Sequence, residues 1–99
     1  MKEPTRRIIE DLAEEYLTSK DYHRGFITQN WIDIVTDKLD LKNLSDYELC
    51  NMWDMVYLTL DHRYVRHSGD LKKGMAYLDV QSAFTEVVNV EARRRREGK

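Results

Sequence analysis

Apolar side chains recur every three or four positions in the first part of the chain, which is the spacing of one face of an α-helix. These positions are Ile9, Leu12, Ala13, Tyr16 and Leu17. Pro4 suits a helix start, because the first turn offers no partner for the N–H that proline lacks. The pattern predicts an amphipathic helix that begins at residue 4 or 5 and ends near residue 19, with acidic side chains on its outer face.

The segment 27–39 fits two structures. Thr28 could cap a helix that carries Trp31, Val35 and Leu39 on one side. The same segment is rich in β-branched residues, which are typical of a strand. A lone strand has no obvious partner elsewhere in the chain, so the sequence favours the helix.

The clearest helix start lies at Ser45. Glu48 follows it three residues later, which is the capping-box spacing, where each side chain accepts a hydrogen bond from the other residue's backbone N–H. The third helix is therefore expected over residues 46–67, ending before Gly69.

A fourth helical pattern covers residues 70–95. Its short link to the third helix predicts an antiparallel hairpin. The basic residues 93–99 are expected to form a frayed or disordered tail after a single helical domain over residues 1–92. The chain is thus predicted to be all-α, a small bundle of about four helices.

The residues on one side of the third helix are predicted to be buried in the core. At about 100° per residue, an arc of about 140° is apolar. Its members are Leu49, Met52, Trp53, Val56, Tyr57, Leu60 and Tyr64.

The opposite side of the third helix mixes apolar and acidic residues. Its members are Tyr47, Asp54, Leu58, Asp61 and Val65. A second element of the same chain, a second copy of the chain, or a foreign partner would each explain apolar groups among carboxylates. The sequence favours the first explanation.

The fourth helix also has two apolar sides. Tyr77, Val80, Phe84, Val87 and Val88 share one side, and Leu71, Met75 and Leu78 point away from it. This pattern predicts a helix that breaks, a helix packed on two sides, or a homodimer that completes the core.

The composition of the chain limits the classes of protein and the cellular compartments that the sequence supports. The charged fraction is 34% and the formal net charge is −2, so the whole molecule is not strongly attracted to either sign. The single cysteine, Cys50, excludes an internal disulfide; it is expected to be a small buried hydrophobe in a reducing, cytoplasmic compartment. No apolar run reaches the length of a membrane span or of a signal peptide.

Catalytic and metal-binding patterns are missing. The three histidines, His23, His62 and His67, include no pair four residues apart, and there is no nucleophile or phosphate-loop motif. The sequence therefore predicts no enzyme, no metal and no cofactor.

The remaining expectation is a small non-enzymatic protein-binding module. Such a protein would act as an adaptor, assembly factor or inhibitor, as phage accessory proteins do when they block host machinery, an analogy of size and charge alone. The candidate binding residues are Tyr47, Asp54, Leu58, Asp61 and Val65 on the third helix, and Glu10, Asp11, Glu14 and Glu15 on the first. Both acidic faces suit a basic partner.

The alternative is a nucleic-acid-associated protein. Arg93, Arg94, Arg95 and Arg96 would contact phosphates. Tyr22, Phe26 and Trp31 would stack on bases. Sequence-specific recognition of DNA is disfavoured, because the first half of the third helix carries three acidic residues and no lysine or arginine.

Overall fold

A computed structural model describes the backbone of residues 3–20, 22, 27–66 and 69–98, and the side chains of these residues except 3, 4 and 63–66. It contains four long helices and a short 3₁₀ turn. They are α1 (Glu3–Leu17), α2 (Gln29–Lys38), the 3₁₀ turn (Leu41–Asn43), α3 (Asp46–Arg66) and α4 (Leu71–Glu97). The described residues include no strand, so the all-α prediction is confirmed and the choice of helix for 27–39 is correct.

Local capping explains where α2, α3 and α4 begin. The Thr28 hydroxyl accepts a hydrogen bond from the Trp31 N–H at 3.2 Å. Ser45 and Glu48 form the predicted capping box, with reciprocal hydrogen bonds of 2.9 and 3.1 Å. Asp70 caps α4 through the Lys73 N–H at 3.2 Å. Each cap satisfies backbone donors that the first turn leaves free.

The link between α2 and α3 is a tight reversal. Asp40 takes a left-handed conformation with φ of 53°, which aspartate tolerates better than most residues. Its carboxylate accepts a hydrogen bond from the Asn43 amide at 2.6 Å. Leu41 in this turn is fully buried, so the reversal is anchored to the core.

The core lies between the α3–α4 hairpin and the two N-terminal helices. α3 and α4 are antiparallel neighbours, as predicted, and α1 packs against both while α2 packs against α4. Trp31 contacts Tyr16 and Phe84, with ring centroids 4.8 and 5.6 Å away. Because Trp31 is buried, the idea that it stacks on nucleic-acid bases is wrong.

The predicted core arc of α3 is correct for most of its members. Leu49, Met52, Val56 and Leu60 are buried and Trp53 is half-buried. Tyr57, at the edge of the arc, is 55% exposed, so its assignment to the core is wrong. The side chain of Tyr64 lies outside the described residues.

Cys50 is also misassigned by the sequence. It is a free thiol on the exposed surface of α3. It follows Leu49 by one position, and this rotates it about 100° away from the buried side.

The second apolar side of α4 is only partly covered, since Leu78 is half-buried. The five side chains of α4 that were predicted to face the core, the first at Tyr77 and the last at Val88, are buried. Leu71 and Met75, which were predicted to point away from them, are exposed. The helix is continuous from Leu71 to Glu97, so the predicted break is wrong. None of the described helices is long and apolar enough to cross a membrane.

Candidate functional site

The solvent side of α3 carries exposed apolar side chains among acidic ones. Tyr47 is 76% exposed and Leu58 is 62% exposed. Asp54 is exposed and Asp61 is half-buried beside them on the same side of the helix. We call these four residues the Tyr47 face. At 1.5 Å per residue they extend over about 21 Å.

The Tyr47 face is directed away from the core. The buried residues of α3 occupy its other side, where α1 and α4 pack. The sequence-based preference for packing against a second element of the same chain is therefore wrong within the described residues. Val65, the fifth predicted member, has its side chain outside them.

Exposed apolar side chains concentrate on the α3–α4 hairpin. Among the described residues, five of the six exposed large apolar side chains lie on these two helices. They are Tyr47, Tyr57, Leu58, Leu71 and Met75. Sequence reasoning missed Tyr57 as a surface residue, because its wheel position adjoins the buried arc.

The acidic face of α1 is less available than predicted. Glu14 accepts a hydrogen bond from the buried Tyr77 hydroxyl at 2.6 Å and so joins α1 to α4. Glu10 is half-buried. Of the four predicted acids, Asp11 and Glu15 are exposed and their carboxylates have no partner among the described residues. Since α1 packs on the core side of α3, its acids do not extend the Tyr47 face.

The arginine run is folded into the bundle. α4 continues through it to Glu97, so the predicted frayed tail is wrong for residues 93–97. The Arg95 guanidinium donates to the Glu91 and Asp46 carboxylates, each at 2.9 Å, and to the Leu41 carbonyl oxygen at 2.7 Å. These contacts join the end of α4 to the turn before α3.

Glu91 is the centre of this arrangement. Its carboxylate is 2% exposed and accepts two hydrogen bonds from Arg94, at 3.0 and 2.6 Å, besides the one from Arg95. The hydrogen bonding from Arg94 lowers the pKa of the Glu91 carboxyl; burial opposes this effect and the Arg95 contact adds to it. Glu91 is therefore ionised at neutral pH.

The arginines differ in availability. Arg93 pairs with Glu86 at 2.7 Å, and Arg94 and Arg95 are bound to Glu91. Arg96 is exposed, and it has no ion pair among the described residues. Of the four predicted phosphate contacts, three are thus already used within the chain.

A shallow groove runs between the first half of α3 and the second half of α4. Two adjoining depressions of about 250 and 410 Å³ share Trp53, Ala92 and Arg96. Their walls also include Leu49, Cys50 and Arg93. We call these six residues the Trp53 groove. Sequence reasoning missed it, because its two walls are about 40 residues apart in the chain.

No metal-binding cluster of histidine, cysteine or acidic side chains occurs in the part of the chain that the structure describes. His62 is exposed on α3, and His23, Phe26 and His67 lie outside the described residues. Comparisons with protein-family models, with curated proteins and with solved structures find no match to this chain.

Proposed function

We propose that this chain is a non-enzymatic protein-binding module whose Tyr47 face binds a basic surface on a partner protein. The observation that carries the proposal is the exposure of Tyr47 and Leu58 beside Asp54 and Asp61. Large apolar side chains are rarely left this exposed without use when they gather on one face. Tyrosine is also enriched among residues that dominate binding energy.

The charges favour a foreign partner over a second copy. If two Tyr47 faces met, Asp54 and Asp61 of each copy would lie near the same acids of the other, and like charges across an interface are unfavourable. A basic partner would place lysine or arginine over these carboxylates while Tyr47 and Leu58 supply apolar contact. An acidic face of this kind can occupy a basic groove, which is one way to inhibit or recruit a nucleic-acid-binding protein.

The nucleic-acid alternative has less support. Arg93, Arg94 and Arg95 are engaged by Glu86, Glu91 and Asp46. Trp31 is buried. If the chain bound nucleic acid through its arginines, the intact chain would give a salt-sensitive gel shift; no shift would eliminate that function.

The test uses the chain as bait in a lysate of its native host. The double substitution Asp54→Lys plus Asp61→Lys reverses the charge of the Tyr47 face. Asp33→Lys plus Asp37→Lys is the matched control, because both acids are exposed on α2. The proposal expects the first variant to lose the captured protein and the control to keep it, with circular-dichroism melts of both within a few degrees of wild type.

Two results would contradict the proposal. Capture that is equal for the wild type and the charge-reversed face would show that this face is not used. A folded dimer in light scattering that dissociates when Leu58 is changed to Asp would assign the face to self-association instead.

A further inference from the structure

The two walls of the Trp53 groove are joined by side-chain hydrogen bonds. The indole N–H of Trp53 donates to the Asn89 side chain at 2.9 Å. At one end, Arg95 joins α4 to Asp46 at the start of α3. Towards the other end, the Gln81 side chain donates to the Tyr57 carbonyl oxygen at 3.2 Å. These contacts join the two walls directly, and a preformed site costs less to bind than one that must be ordered.

The floor of the groove is apolar. Leu49 and Ala92 lie beside the half-buried ring of Trp53. Since the indole N–H is already satisfied by Asn89, the ring can be covered by an apolar group without leaving a buried donor unpaired. The groove therefore suits one aliphatic or aromatic side chain.

The rim of the groove is basic. Arg93 and Arg96 lie three residues apart on α4, so they project from the same side of the helix. Arg96 has no described ion pair, and Arg93 has only the half-exposed Glu86. Arg95 and Asp46 neutralise each other at the end of the groove. The lining of the groove thus carries three arginines and one acid, Asp46, whereas both charged members of the Tyr47 face are acids.

We propose that the Trp53 groove is a second docking site, which binds an acidic peptide segment of a partner protein. An apolar side chain of the segment lies on Trp53, and neighbouring carboxylates pair with Arg96 and Arg93. Arginine and carboxylate form paired, charge-assisted hydrogen bonds, which give such a contact its direction.

A peptide fits this groove better than a nucleic acid. A nucleic-acid strand needs a basic track for successive phosphates. Here the basic side chains lie within about one turn of α4, between Arg93 and Arg96, and the exposed Asp54 lies on the same helix as Cys50 and Trp53. A nucleic-acid strand that extended beyond the groove along α3 would be repelled by the Asp54 carboxylate.

The two tryptophans provide the readout. Trp53 lines the groove and Trp31 is buried in the core, so their indole N–H signals in a ¹⁵N-correlated NMR spectrum separate binding from a general change. The probe is a capped peptide, Glu-Glu-Leu-Phe-Glu-Glu. The control peptides replace every glutamate by glutamine or by lysine, and a short oligodeoxythymidine tests the nucleic-acid alternative.

The proposal expects the acidic peptide to shift the Trp53 signal, at concentrations up to about 1 mM, and to leave the Trp31 signal in place. Arg96→Gln should weaken this binding about two- to fivefold, within the range for an exposed ion pair. Lys72→Gln removes the same charge elsewhere on α4 and should leave affinity nearly unchanged.

Four outcomes would overturn it. They are an unmoved Trp53 signal, equal binding of the glutamine peptide, equal loss with Lys72→Gln, and tighter binding of oligodeoxythymidine than of the acidic peptide. None of these measurements involves the Tyr47 face, so the docking groove and the proposed function can fail independently.

Discussion

Among the described acidic residues, we expect Glu91 to be the one whose replacement by the corresponding amide destabilises the bundle most. Glu91→Gln keeps the shape of the side chain but removes the charge that three arginine hydrogen bonds share. Glu91 is 2% exposed. After the substitution, Arg95 keeps its contacts with the exposed Asp46 carboxylate and with the Leu41 carbonyl oxygen. The substitution therefore leaves a largely buried cation short of its main partner.

The expected cost follows from this geometry. Removing one partner of a fully buried ion pair costs about 3–5 kcal/mol. The loss here should be smaller, about 2–3 kcal/mol, because glutamine still offers an acceptor oxygen and the Arg94 side chain is more than half exposed and screened by water. For a chain of this length that loss corresponds to a fall in Tm of about 10–20 °C.

The pH dependence gives a second signature. The folded state lowers the pKa of Glu91, so its contribution is fully present above the unfolded value of about 4.3 and is lost as the pH falls through the folded value. The stability difference between wild type and Glu91→Gln should therefore be constant near neutral pH and shrink below about pH 4.

Urea unfolding followed by circular dichroism measures both effects. Glu86→Gln is the control, because Glu86 forms one half-exposed ion pair with Arg93. The control should change the free energy of unfolding by less than about 1 kcal/mol. A Glu91→Gln protein as stable as the control, or a stability difference that does not shrink as the pH falls below about 4, would refute the reasoning.

Three further outcomes are expected. Leu41→Ala should lower the free energy of unfolding by about 2–5 kcal/mol, since Leu41 is fully buried, whereas Leu58→Ala on the exposed face of α3 should change it by less than about 0.5 kcal/mol. Equal losses in urea titrations would contradict the burial of Leu41 or the exposure of Leu58. Ser45→Ala removes half of the capping box and should cost about 1 kcal/mol in the same titration, so an unchanged midpoint would argue against the cap. Cys50 is exposed and should react with a thiol reagent such as dithionitrobenzoate in the native state as fast as in urea; strong protection would place it in the core.

Local features of the fold were readable from the sequence. Ser45 and Glu48 lie three positions apart, so their capping box depends on one turn of chain and on nothing distant. The same holds for Thr28 at the start of α2 and for the core positions Val80 and Phe84 on α4. Helical periodicity indicates which residues share a side, and this was enough for the all-α prediction.

The site was predictable only in part. Periodicity placed Tyr47, Asp54 and Leu58 together on α3, and they do share a face. It did not indicate that the face is uncovered, because the width of the buried arc depends on where α1 and α4 lie. Tyr57 was assigned to the core for this reason, and Cys50 because a lone cysteine is most often a small buried hydrophobe; both are exposed.

The sequence by itself determined the helices, their caps and the side of each helix that is apolar, because these depend on contacts within a few residues. Only the tertiary structure decided the function of charged residues far apart in the chain. Arg95 meets Asp46 across 49 positions, and Tyr77 meets Glu14 across 63. Such pairs form where packed helices bring them together, so the arginine run became a structural anchor and a groove wall through packing that no local pattern specifies.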